Sequence, residues 1–147
     1  FGACTIIALI HDVIVVVGSF AILGHFLAFE VDSLFITALL TVLGFSVHDT
    51  IVVFDRIREN LKKYDGLSFE KVVNHSLIQT LGRSLNTSLT VILVLLALLL
   101  FGGQSIRHFI VALLIGVISG TYSSIFNAAP LLVVWNNFKI KLFNPTQ

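Results

Sequence analysis

The sequence has no methionine, a single cysteine (Cys4) and only two prolines in 147 residues. It is also poor in charge, with Asp, Glu, Lys and Arg together at 12%, about half the usual share for a soluble domain. Each shortage excludes something. A lone cysteine forms no internal disulfide and no cysteine-rich metal site. So few charges beside 56% hydrophobic residues, at a mean hydropathy of +1.00, leave too little polar surface for a water-soluble domain. A net charge of +1 gives no reason to expect a nucleic-acid partner. The missing methionine leads to the expectation that the chain is part of a longer one. Its first apolar run lacks a basic leading region and is interrupted by Asp12, unlike a cleavable signal peptide. P-loop, HExxH and GxSxG motifs are also missing.

What remains is long and apolar. Four runs, at about 3–23, 33–54, 77–101 and 106–135, are each long enough to cross a bilayer as a helix, which takes about 20 residues. The expected fold is therefore all-α, a polytopic membrane bundle over 1–135 with a tail over 136–147. The fourth run is long for one crossing, so tilt or a break near Pro130 is expected. The first connection carries Glu30 and Asp32 and no basic residue, whereas the second, 55–75, carries Arg56, Arg58, Lys62, Lys63 and Lys71. The third is a tight Gly102-Gly103 turn followed by Arg107, and the tail holds Lys139 and Lys141. The excess of Lys and Arg places the second connection and both chain ends in the cytoplasm, with Trp135 as an interfacial anchor. Within that connection, residues 55–64 are expected to prolong the second helix, with Glu59 and Lys63 as an i,i+4 pair. Asp65-Gly66 should end it, and Ser68 should cap the next helix with Glu70 in its first turn.

Three ionisable residues lie well inside the apolar runs: Asp12, Asp49 and Arg83. Each costs roughly 2.5–3.5 kcal/mol at mid-membrane, so each is expected to face a bundle interior or a wet path and to have a partner. Asp49 sits roughly 8 Å, and Arg83 roughly 9 Å, from the inner ends of two antiparallel neighbours, so the two can meet. Gln79, Arg83, Asn86, Thr87 and Thr90 recur at helical spacing and, with Ser76 and Thr80, form a polar stripe unsuited to lipid. Gly116, Gly120, Ser123, Ser124 and Asn127 form a small-residue seam for close helix packing, with Asn127 as a polar liner. Asp12, Asn86, Thr87, Thr90 and Asn127 are thus candidates for a polar path beside the Asp49–Arg83 pair.

Burial favours the protonated acid and a nearby guanidinium favours the ionised one, so a packing change that parts Asp49 from Arg83 could load a proton and the reverse could release it. A plainer reading stays open: Arg83 snorkels to headgroups, Asp49 is its structural partner, and Asp12 only bonds a neighbouring helix. Neither His11 nor His48 is expected to carry protons, because neighbours on a helix point about 100° apart. The two His-Asp doublets resemble metal ligands of phosphohydrolases, but no further ligands converge on them, and no metal or other cofactor is expected.

The stretch GFSVHDTIVVFDRIREN at 44–60 resembles the signature of the SecD/SecF family of protein-export membrane proteins, in its SecF form, within the RND superfamily. ALIHDVIVVVG at 8–18, SLIQTLGRSLNTSLT at 76–90 and GVISGTYSSIFNAAP at 116–130 agree in order and spacing. The resemblance implies helices three to six of a six-helix half, in a bacterial inner membrane, with the first two helices and a periplasmic domain elsewhere. It implies an accessory role in export after SecA-driven insertion, powered by a proton or sodium gradient. The implied partners are SecD, the SecYEG channel and a preprotein, with YajC and YidC as further candidates. The family's relay aspartate and arginine fall on Asp49 and Arg83. The alternative is half of another RND-type exporter of lipids or drugs, and the DRIREN boundary at 55–60 separates the two.

Overall fold

The computed structural model describes residues 1–27, 31–64 and 66–143. Glu30 and Asp65, which figure in the sequence reading, lie outside them. The described residues form helices α1 (Gly2–Leu27), α2 (Ser33–Lys63), α3 (Phe69–Phe101), α4 (Arg107–Ser123) and α5 (Ala129–Phe143). A short 3-10 turn, Gln104–Ile106, precedes α4, and a π turn, Ser124–Ala128, joins α4 to α5 into one continuous rod. Four helical segments, with the rod from Gln104 to Lys141 as the last, are long and apolar enough to span a membrane. No strand occurs among the described residues.

The ends of these helices follow local chemistry. Asp32 caps α2, its side chain accepting from the Phe35 amide at 3.0 Å. Gly66 adopts φ of 106°, a left-handed conformation that glycine takes without a side-chain penalty, and it turns the chain back toward α3. Ser68 does occupy the N-cap of α3, but its hydroxyl makes no capping bond, which leaves Glu70 as the favourable first-turn group. At 31 and 33 residues, α2 and α3 are each roughly 45–50 Å long, against about 30 Å of hydrocarbon. They therefore rise out of the bilayer together as an antiparallel hairpin.

Polar side chains join that hairpin above the apolar spans. Arg56 donates to Gln79 Oε1 at 2.7 Å and to Glu59 at 2.7 Å. Asn60, 2% exposed, donates to Ser76 Oγ at 2.8 Å and to Gln79 Oε1 at 3.0 Å. The expected Glu59–Lys63 pair gives way to Arg56–Glu59, because Arg56 reaches Glu59 and Gln79 at once. Ile57 is fully buried, and Arg58 lies over the Phe1 ring at 5.2 Å.

Near Pro130 the rod does not break. Proline has no amide hydrogen, and its ring crowds the carbonyl one turn back. The π turn over 124–128 widens the helix at that point and absorbs the misfit. The helix then runs past the expected end at Trp135 to Phe143, carrying Lys139 and Lys141 on it.

Packing divides the bundle into layers. One apolar cluster joins Cys4, Ala8, Phe54, Ile57, Val73 and Ala129 toward the hairpin end. A second joins Val16, Phe20, Phe35, Ala38 and Val42, and a third joins Leu95, Ile110, Leu114 and Val117, toward the opposite end. Between them lies a layer of buried polar side chains: Asp12, Ser46, Ser84, Ser88, Thr121, Ser123 and Ser124. The outward faces are apolar, with Ile14, Leu40, Ile78 and Leu93 all more than half exposed, as a lipid-embedded surface requires.

Candidate functional site

Asp49 sits in the polar layer, and its position follows from a seam of small residues. α4 runs alongside α2 with Gly116 against Val42 and Gly120 against Ser46. A methyl group at Gly116 would lie 2.6 Å from Val42 Cγ1 and 2.8 Å from Val42 Cβ; at Gly120 it would lie 3.2 Å from Ser46 Cβ. The two helices can approach this closely only because both seam positions lack a side chain. One turn further on, the seam brings Ser124 to Asp49, and its hydroxyl donates to Asp49 Oδ2 at 2.6 Å. From α3, Ser84 donates to Asp49 Oδ1 at 2.7 Å. Both carboxylate oxygens are thus held by hydroxyls from two other helices. Of the residues expected to form a seam, Gly116 and Gly120 lie against α2 and Ser124 bonds Asp49. Ser123 is fully buried beside it, and its hydroxyl has no hydrogen-bond partner among the described residues.

Arg83 stands on the other side of Asp49. The two line one cavity of about 100 Å³ with Phe45, His48, Val52 and Thr87. That is room for a few water molecules. They do not touch: among the described residues the acid–base side-chain pairs within 4 Å are His11–Asp12 and Arg56–Glu59. Spacing led to the expectation that the two side chains meet; they share a cavity, but no hydrogen bond or ion pair joins them. Asp49 has turned toward two serines, whereas Arg83 is on the exposed side of α3.

The stripe on α3 needs the same correction. Asn86, Thr87 and Thr90 are exposed with Arg83, and the two threonine hydroxyls bond carbonyls of their own helix at 2.9 and 2.8 Å. Only Thr87 among these three reaches the Asp49 cavity. The inward polar row is Ser76, Thr80, Ser84 and Ser88 instead, with Ser88 bonded to Thr121 at 2.5 Å. Sequence reasoning missed Ser84 and Ser88. Their signal was a strict four-residue repeat of small hydroxyl residues, overshadowed by larger polar neighbours at positions 83 and 86.

The second acid, Asp12, is fully buried on α1. Ser46 of α2 donates a hydrogen bond to its Oδ2. His11 Nδ1 lies 3.3 Å from its other oxygen. The Asn127 amide nitrogen is 3.4 Å from both ring nitrogens of His11. Asp12 and Asn127 therefore belong to a cluster between α1, α2 and the π turn, apart from the Asp49 cavity. In an α-helix Ser124 and Asn127 would share a face. The wider π turn separates their directions, and one meets α2 while the other meets α1.

Long apolar helices, a small-residue seam and a hydroxyl-held carboxylate in the middle of the bundle define an all-α polytopic membrane protein. A family profile described as "Protein export membrane protein SecD/SecF, C-terminal" matches residues 1–138. The chain belongs to that family. It is 64% identical over 148 residues to the protein translocase subunit SecF of Thermobaculum terrenum, covering 100% of this chain and 47% of that protein. A crystal structure of SecDF in a super-membrane-facing form superposes at a TM-score of 0.88 with 45% identity, over 95% of this chain and 18% of the other. A second, of SecDF from Thermus thermophilus described as a translocon-associated membrane protein, gives a TM-score of 0.86 and 46% identity, over 93% and 18%. The chain thus spans about half the length of the SecF proteins it resembles.

Proposed function

We propose that this chain forms the C-terminal part of the membrane domain, helices three to six, of a SecF-type accessory subunit of the Sec translocase. It acts with SecD beside the SecYEG channel, and uses the proton (or sodium) gradient to assist a preprotein after SecA-driven insertion. YajC and YidC are candidate neighbours in that assembly. In this reading the chain is not an enzyme but a translocase subunit of the bacterial inner membrane, with the α2–α3 hairpin and both described ends on the cytoplasmic side. Five basic residues at 56–71 support that orientation. Asp49 is the carrier and Arg83 the charge that opposes it across their common cavity.

The observation that carries the proposal is the double hydroxyl grip on Asp49 beside that cavity. A hydroxyl has one hydrogen to donate and lone pairs with which to accept. Ser124 Oγ lies within reach of two acceptors, Asp49 Oδ2 at 2.6 Å and the Thr121 carbonyl at 3.0 Å. When Asp49 is ionised, Ser124 gives its hydrogen to the carboxylate. When Asp49 takes up a proton, Ser124 turns its hydrogen to Thr121 and accepts from the new carboxyl O–H. The acid can change charge without losing a partner. The change also leaves the Arg83 guanidinium without a counter-charge in the cavity, which is a force for rearranging α3 against α2. A charge crossing the full potential supplies about 2.3 kcal/mol per 100 mV for such a cycle.

The test is Asp49→Asn in the intact export assembly. The exchange keeps shape and hydrogen bonding but cannot carry a proton. The complex should assemble normally and lose the gradient-dependent part of preprotein export. Undiminished gradient-dependent export by the variant would remove Asp49 from the mechanism.

A further inference from the structure

We infer that His11 and Asp12 form a second proton-binding site, an imidazolium–carboxylate pair that holds one shared proton in the membrane. This goes beyond the role given to Asp49 and does not depend on it. Asp12 is 0% exposed. An unpaired carboxylate in such a place is costly, and it must be either paired with a cation or protonated. Ser46 supplies a hydrogen bond but no charge. Among the described residues, the basic group within ion-pair reach is His11, with Nδ1 3.3 Å from Asp12 Oδ1. The helical divergence that argued against this histidine is overcome because the ring turns back toward its neighbour.

Counting protons fixes what the pair can be. With none, a bare negative charge is buried. With two, a positive charge remains uncompensated. With one, the pair is neutral overall, which is the state burial favours. With the proton on His11, each carboxylate oxygen of Asp12 has its own donor, Nδ1–H of His11 on Oδ1 and the Ser46 hydroxyl on Oδ2. Transfer balances simply: Nδ1 releases its proton and keeps the bonding electrons, and a lone pair of Oδ1 takes the proton up.

His11 is also the point of entry. Its side chain is 43% exposed whereas that of Asp12 is 0% exposed. It lines a groove of about 400 Å³ with Ile7, Ala8, Phe126, Asn127 and Leu131. Asn127 suits both forms of the ring, since its amide donates to a bare ring nitrogen or, turned over, accepts from a protonated one. Among the described residues, no other titratable side chain lines this groove, and none besides His11 is within ion-pair reach of Asp12. On α2, Asp49 is engaged by Ser84 and Ser124, and His48 lines the Arg83 cavity. On α4, Tyr122 is exposed and lines a different groove, and α5 contributes only the exposed Lys139 and Lys141 near its far end.

The test is nitrogen-15 NMR of histidine-labelled protein, assembled in native membranes at neutral pH, with the His11 signals assigned through His11→Gln. The unaltered protein should show the doubly protonated ring signature at His11. Asp12→Asn, which keeps a bond to Ser46, should convert it to a neutral ring, and Asp49→Asn should leave it charged. A neutral His11 ring in the unaltered protein overturns the inference, and that arm needs no variant to fold. So does a charged ring that persists in Asp12→Asn. Loss of the charged ring in Asp49→Asn would show one continuous relay rather than a second site.

Discussion

Alanine at Gly116 tests whether the seam between α2 and α4 is as tight as the geometry requires. In a helix interior, alanine is favoured over glycine by about 0.8–1.0 kcal/mol. Against this, the added methyl would stand 2.6 Å from Val42 Cγ1 and 2.8 Å from Val42 Cβ, well inside contact distance. Such overpacking typically costs about 1–3 kcal/mol. The net expectation for Gly116→Ala is a loss of about 0–2 kcal/mol. Gly44, also in α2, has nothing within 4 Å of its would-be methyl, so Gly44→Ala should instead gain up to about 1 kcal/mol. The two variants should therefore differ by about 1–3 kcal/mol although they make the same chemical change. Adding Val42→Ala to Gly116→Ala removes the two γ-methyls of Val42 and leaves its Cβ, so it should recover part of the loss, with a coupling of about 0.5–3 kcal/mol. Unfolding by SDS titration in mixed micelles reads the unaltered protein, the single variants Gly116→Ala, Val42→Ala and Gly44→Ala, and the double variant on one scale. The seam reading fails if Gly116→Ala stabilises the bundle as much as Gly44→Ala does, or if Val42→Ala adds its own cost without any rescue.

Two other outcomes follow from the hydrogen bonds. Asn60→Ala leaves Ser76 and Gln79 without their buried donor and should cost about 1–3 kcal/mol, with faster amide hydrogen exchange confined to the hairpin ends of α2 and α3. Ser84→Ala and Ser124→Ala each remove one of the two bonds to Asp49; at about 1.5–3 kcal/mol for a bond to a charged group, each should depress gradient-dependent export more than it depresses the amount of assembled complex.

The crossings, their order and the interior position of both acids were legible because lipid imposes a simple rule: long apolar runs with few charges become helices. The seam was legible too, since Gly116, Gly120 and Ser124 repeat at four residues. Rotation about a helix axis was not. Arg83 and Ser84 are neighbours in sequence, and a turn of about 100° decides which of them faces Asp49. Polarity favoured Arg83, but the residue that faces Asp49 is the small, buried Ser84. The π turn was hidden for a related reason. Pro130 announced an irregularity, but whether a helix breaks, kinks or widens depends on what the neighbouring helices require. Here Ser124 and Asn127 have partners on different helices, and a widened turn satisfies both.

The most direct test of the central claim is infrared difference spectroscopy of the assembled complex in sealed proteoliposomes, recorded as a proton gradient is imposed. If Asp49 loads and releases a proton as the gradient acts, a protonated-carboxyl band should appear with the gradient, vanish in Asp49→Asn and persist in Asp12→Asn. A gradient that drives export while no band depends on Asp49 would contradict the account.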